Sequence, residues 1–112
     1  MDVFTQAYVE AALWSSTYHN EFLDANYGVS DIDDETLQKM MKDCEKFQES
    51  NLKDIESNLK VAGHDFWLTR NHHGAGFWDG DWEQPAADRL TNASHVFGEV
   101  NLYVSDNKVY QD

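Results

Sequence analysis

The sequence predicts an α+β domain in which two N-terminal helices precede a β-β-α-β-β unit, a single layer of antiparallel sheet packed on the helices. Three observations carry this expectation. Apolar residues recur at three- and four-residue intervals over residues 2–16 and again from Leu37 onward. After Gly63 the pattern changes, and Phe66-Trp67-Leu68-Thr69 is rich in strand formers. Finally, Val100, Leu102 and Val104 alternate with Asn101, Tyr103 and Ser105, the two-residue period of a half-buried strand. The 112 residues suit one domain, with an acidic helical half over 1–62 and a hairpin-helix-hairpin half over 63–112.

The first helix, over residues 2–16, places Phe4, Ala7, Tyr8, Ala11, Ala12 and Trp14 on one face. Asp2 suits its positive N-terminal end, and Thr17 to Asn20 form a stop. Residues 18–33 lack periodicity and read as an extended connection, pinned by Phe22, Leu23, Tyr27, Val29 and Ile32. So long a connection either carries part of a binding surface or is a strapped-down linker. The second helix starts at Asp33, a good N-cap, with Asp34 and Glu35 in the first turn. Leu37, Met40, Met41, Cys44 and Phe47 form its apolar stripe, with Met40, Met41 and Cys44 as core fillers. Leu52, Ile55 and Leu59 continue it after a five-residue step, so Glu49-Ser50-Asn51 marks a rotation of the stripe or a break. Gly63 ends the helix.

Residues 66–69 and 75–78 then read as a β-hairpin turning through Asn71-His72-His73-Gly74. A helix continuing through Phe66 and Arg70 competes with this reading. The hairpin is preferred because Gly63, Gly74 and Gly76 would each cost about 1 kcal/mol in a helix interior. Arg70 is expected to pair with Asp79 across the hairpin. Pro85 opens the last helix, whose apolar side is Ala86, Ala87, Leu90, Ala93, Ser94 and Phe97, and Gly98 closes it. Ser105 to Lys108 make a turn, and Val109-Tyr110 pairs back on the preceding strand.

Composition sets the function classes. Apolar residues at 41% and aromatics at 13% argue against disorder. No apolar run approaches a membrane span, and no basic, apolar, small-residue start resembles a signal peptide, so a cytoplasmic location without a membrane partner is expected. The lone Cys44 excludes an internal disulfide and a four-Cys zinc site. The net charge is −13, and residues 1–38 hold eight acids and no Lys or Arg. Such a field repels phosphates, which argues against direct nucleic-acid binding, and attracts basic surfaces. Solubility is its plain consequence; imitation of nucleic acid towards a DNA- or RNA-binding partner is the sharper one.

His64-Asp65-Phe66-Trp67-Leu68-Thr69-Arg70-Asn71 followed by His73-Gly74-Ala75-Gly76-Phe77-Trp78-Asp79 resembles the central signature of a family of small proteins encoded by phages, prophages and plasmids. Ala11 to Ser16 and Leu23 to Tyr27 resemble its N-terminal half, and Asp88 to Thr91, Phe97 to Val100 and Leu102 to Val104 its C-terminal half. The likeness covers most of the chain and departs at His72, where a small residue is expected. It brings no biochemical role with it. The setting it implies is the cytoplasm of a bacterial host, where small acidic phage proteins inhibit defence or nucleic-acid enzymes.

The one cluster rich in metal ligands is His64, Asp65, His72, His73, Asp79 and Asp81. Its spacing matches no two-histidine helical motif, and a hairpin would hold its two ends roughly 15–20 Å apart. No catalytic residue, metal ligand or cofactor is therefore assigned. Trp67, Phe77, Trp78 and Trp82 cannot all be core in so small a domain, and exposed aromatics beside Arg and His have the composition of an interface anchor. The expected partner-binding set is Trp67, Arg70, His73, Trp78, Asp79 and Trp82, with Asp31, Asp33 and Asp34 steering. The expected function is non-enzymatic: binding the basic surface of a host protein, as an anti-CRISPR, anti-restriction or DNA-mimic inhibitor would. Two alternatives stand beside it. One is a small metal-dependent hydrolase or nuclease using His64, Asp65, His72, His73 and Asp79. The other is a structural or regulatory homo-oligomer, a homodimer in its simplest form.

Overall fold

A computed structural model describes all residues from Met1 to Asp112. Four helices and two separate two-stranded antiparallel sheets make up the chain: α1 (Val3–Ser15), β1 (Thr17–Tyr18), β2 (Glu21–Phe22), α2 (Asp34–Ile55), α3 (Leu59–Arg70), α4 (Ala86–Val96), β3 (Leu102–Ser105) and β4 (Lys108–Gln111). The molecule is α+β, but the expected β-β-α-β-β unit with its single sheet is absent. Where a hairpin was expected over 66–78 there is a helix, α3, followed by an irregular loop.

The physical reason lies at Gly63. Within α3 this residue faces α1, and a Cβ added to it would collide with the carbonyl oxygen of Phe4. Glycine's cost in a helix is offset by the close approach of two helices, a contact that its own segment does not reveal. α1 is the central element, with Phe4, Thr5, Ala7, Tyr8, Val9, Ala11, Ala12 and Leu13 all buried. Asp2 caps it, its carboxylate accepting from the Thr5 amide at 2.8 Å.

α2 begins as its sequence indicates, with the Asp33 carboxylate accepting from the Thr36 amide at 3.3 Å. It runs unbroken through Glu49-Ser50-Asn51 to Ile55, so the five-residue step is a rotation that leaves Leu52 exposed. The chain then turns a corner, and Asn58 caps α3 by accepting from the Val61 amide at 3.3 Å. Gly63 therefore lies inside the next helix rather than ending the second.

The core is aromatic. Phe47 stacks on Phe66 at 4.2 Å, Phe4 lies 5.8 Å from Phe47, and Tyr8 meets Trp67 edge-on at 5.5 Å. The 18–33 connection is partly ordered into the β1–β2 hairpin and two 3-10 turns, Leu23–Ala25 and Val29–Asp31. His19 and Asn20 at the hairpin tip, like Asp106 and Asn107 between β3 and β4, have positive φ at both central turn positions, as a type I′ turn requires. A parallel bridge between Ile32 and Val109 ties the connection to β4. No helix is long and apolar enough to cross a membrane.

Candidate functional site

The C-terminal end of α3 and the loop beyond it carry most of the residues expected to bind a partner. The helix stops with His72 in the left-handed region, the His72 amide donating to Thr69 O at 3.1 Å and the His73 amide to Leu68 O at 3.0 Å. This is the paired closure that usually has glycine at the turning position. The loop then folds back on α3. The Phe77 amide donates to Thr69 Oγ1 at 3.0 Å, and a Cβ on Gly76 would collide with that hydroxyl. Phe77 drops into the core against Phe47, while its neighbour Trp78 is left outside, 54% exposed.

Arg70 does not pair with Asp79. Because α3 is a helix, its side chain points inward, where it is 1% exposed and ties α1 and α2 to the chain just beyond α4. Its Nη1 donates to Asp43 Oδ2 at 2.8 Å and to Tyr8 Oη at 3.0 Å. Nε donates to Gly98 O and Nη2 to Phe97 O, both at 2.9 Å, and the guanidinium lies over the rings of Phe66 and Phe97. Five donors in a fixed fork suit a junction that lysine could not satisfy. Burial pushes the Tyr8 hydroxyl well above its ordinary range, and the same cause raises the Cys44 thiol, which makes that thiol a poor nucleophile.

Trp67 is likewise core, its indole N–H donating to Ser15 Oγ at 2.8 Å. Trp82 is half-buried and donates to Asp65 Oδ2 at 2.8 Å. Burial pushes the Asp65 carboxyl up to about 6, with the hydrogen bond from Trp82 opposing and the charges of Asp79 and Asp81 adding to the rise. Asp79 remains exposed, one oxygen accepting from the Gly76 amide at 3.2 Å. His73 is exposed, whereas Asp31 and Asp33 are partly covered and serve the local chain, accepting from the Gly28 and Thr36 amides. Asp34 is open to solvent. Of the nine expected residues, then, Trp67 and Arg70 are interior, Trp82, Asp31 and Asp33 hold local structure, and His73, Trp78, Asp79 and Asp34 face solvent.

The histidine-acid cluster does not assemble. His64 Nδ1 lies 3.9 Å from Asp65 Oδ1, and His72 stacks on His95 instead, at 4.4 Å. No three His, Cys, Asp or Glu side chains converge as a metal site would need.

Two hollows remain. The larger, about 560 Å3, is polar and lies between the ends of α1 and α3, lined by Ser15, Ser16, Thr17, Asn71, His73 and Glu99 among others. The second, about 460 Å3, is a groove beside α1 that includes Leu13, Trp14, Tyr27 and Val29, with Glu10 and Asp24 also lining it. Trp14 is 51% exposed there, its ring 5.4 Å from that of His64. Trp14 shares the apolar face of α1 with Phe4 and Tyr8 in the sequence pattern, which hides this surface. The available signal was Glu10, one helical turn earlier on the same side.

Fold and surface together define a class: a small, acidic, helix-rich α+β domain with exposed tryptophans. No family model, no curated protein and no solved structure matches the chain.

Proposed function

We propose that this chain is a non-enzymatic acidic binding protein of a phage or other mobile element. In the cytoplasm of a bacterial host it would occupy the basic, nucleic-acid-contacting surface of a defence or nucleic-acid-handling protein. The observation that carries this reading is the charge left unpaired. Of the 21 acids, only Asp43 and Asp54 pair with a Lys or Arg, and those two pairs use both arginines of the chain. Thirteen net charges along a 43 Å axis correspond to about one per 3.3 Å, close to the roughly 3.4 Å per charge of one DNA strand. A field of that density speeds encounter with a basic surface, and exposed aromatics supply the contact that outlasts the encounter.

The immobilised protein should capture a basic, nucleic-acid-binding protein from a bacterial lysate. Release should follow as salt rises from about 0.05 to about 0.5 M, and added duplex DNA should compete. Capture that ignores both salt and DNA rejects the reading.

The open Trp78 favours one second reading, a homo-oligomer that buries this ring between copies. Light scattering separates the two: a mass of 12.9 kDa supports the first reading, and a multiple of it supports the second. With no three ligands converging, nothing supports the metal-dependent hydrolase reading.

A further inference from the structure

Nine of the ten residues lining the 460 Å3 groove come from residues 1–38, the stretch with no Lys or Arg. Its apolar part is led by Trp14 and Tyr27, and its charged part is Glu10 and Asp24, neither of which is in an ion pair. Glu10 is held in place by Gln6, whose amide donates to Oε1 at 3.0 Å and leaves Oε2 free. His64 backs the indole from α3. A half-open indole beside two unpaired carboxylates matches a group that is flat, cationic and rich in N–H donors.

We propose that this groove receives an arginine side chain of the protein partner. This deepens, and rests on, the acidic-binding reading above. Guanidinium meets both demands at once: its face stacks on Trp14 while its edge donates to Glu10 and Asp24. A lysine ammonium is a compact, strongly hydrated charge and cannot do both. The groove would then be the place where diffuse attraction between an acidic and a basic surface becomes a specific contact.

The four indole N–H groups provide the test. Trp67 and Trp82 donate internally, to Ser15 and Asp65, while Trp14 and Trp78 are the two exposed rings. The intact protein is titrated with a short glycine-flanked arginine peptide, and all four indole N–H resonances are followed by NMR. Parallel titrations use the lysine peptide and the citrulline peptide, which is flat but uncharged. The expected result is a saturable shift of Trp14 with Trp78 unmoved, no response to citrulline, and lysine weaker by about fivefold or more. W14A and the double variant E10Q/D24N should each lower affinity for the arginine peptide by about tenfold. The double variant alters only exposed side chains, so it serves even if W14A folds poorly. Equal shifts at Trp14 and Trp78, equal binding of citrulline, or unchanged affinity in E10Q/D24N overturns the proposal. No lysate partner takes part, so failure here with capture still sensitive to salt and DNA removes the groove and leaves the acidic-binding reading standing. Success here with capture insensitive to both does the reverse.

Discussion

Asp65 is the residue whose chemistry departs furthest from its ordinary state while still titrating in an accessible range. It is buried on α3, holds the Trp82 indole at 2.8 Å, and has its carboxyl pushed up to about 6 by burial, against an ordinary value of 3.8. The raised value means that the folded state binds a proton which the unfolded state has already lost. Between about pH 4 and pH 6, therefore, stability falls as pH rises, and above that window the full cost of a buried charge persists. D65N keeps an oxygen for the indole and carries no charge. Its melting temperature should match that of the parent at about pH 4 and exceed it at about pH 7.5. A difference that does not change with pH would mean that Asp65 is not charged against its surroundings. Arg70 gives the contrasting case, an interior charge met by one carboxylate, one hydroxyl and two carbonyls. In the sequence, an arginine among aromatics fits an exposed anchor as readily as a buried junction. Its partners Tyr8, Asp43, Phe97 and Gly98 come from three other parts of the chain, and no local pattern names them.

Helix ends separate what the sequence makes legible from what it hides. Asp33 could be read as the cap of α2, and Asp106-Asn107 as a turn, because both act on backbone within three residues of themselves. The same local logic applied to Gly63, Gly74 and Gly76 predicts a hairpin that the structure does not contain. Gly63 answers to Phe4 and Gly76 to Thr69, so two of the three reasons are tertiary. Trp67, exposed in a hairpin, becomes core in a helix, which removes it from any binding surface. The end of α3 holds a further consequence. His72 has φ +55°, a conformation costing a side chain about 1 kcal/mol. Its stacking on His95 and its 4.0 Å approach to Glu99 are exposed contacts of small worth. H72G should raise the melting temperature by about 3–6 °C, while H72A, still bearing a Cβ, should not. A calorimetric scan in which H72G melts at or below the parent would show that the imidazole contacts outweigh the backbone strain.

At the scale of the whole molecule the charge balance bears on stability as well as on recognition. A net −13 on a body 43 Å long and 25 by 21 Å across repels itself, and folding brings those charges closer together. Screening by salt weakens this repulsion, but it also weakens ion pairs, so the outcome depends on which is more numerous. Attraction is scarce here. Arg89–Asp54 at 2.7 Å is a surface pair worth little, and Arg70–Asp43 is shielded from solvent ions by its burial. Repulsion involves nearly every other acid, with the densest share in residues 1–38. Raising sodium chloride from about 0.01 to about 0.5 M should therefore raise the melting temperature at neutral pH by several degrees. Most of the gain should fall below about 0.15 M, where the screening length shrinks towards 8 Å. A protein that binds by charge should behave oppositely in its complex, losing affinity over the same range in which the free chain gains stability. A melting temperature that falls with salt would mean that unseen attractive pairs dominate the surface. That result would also weaken the case for a partner drawn in by the unneutralised acids.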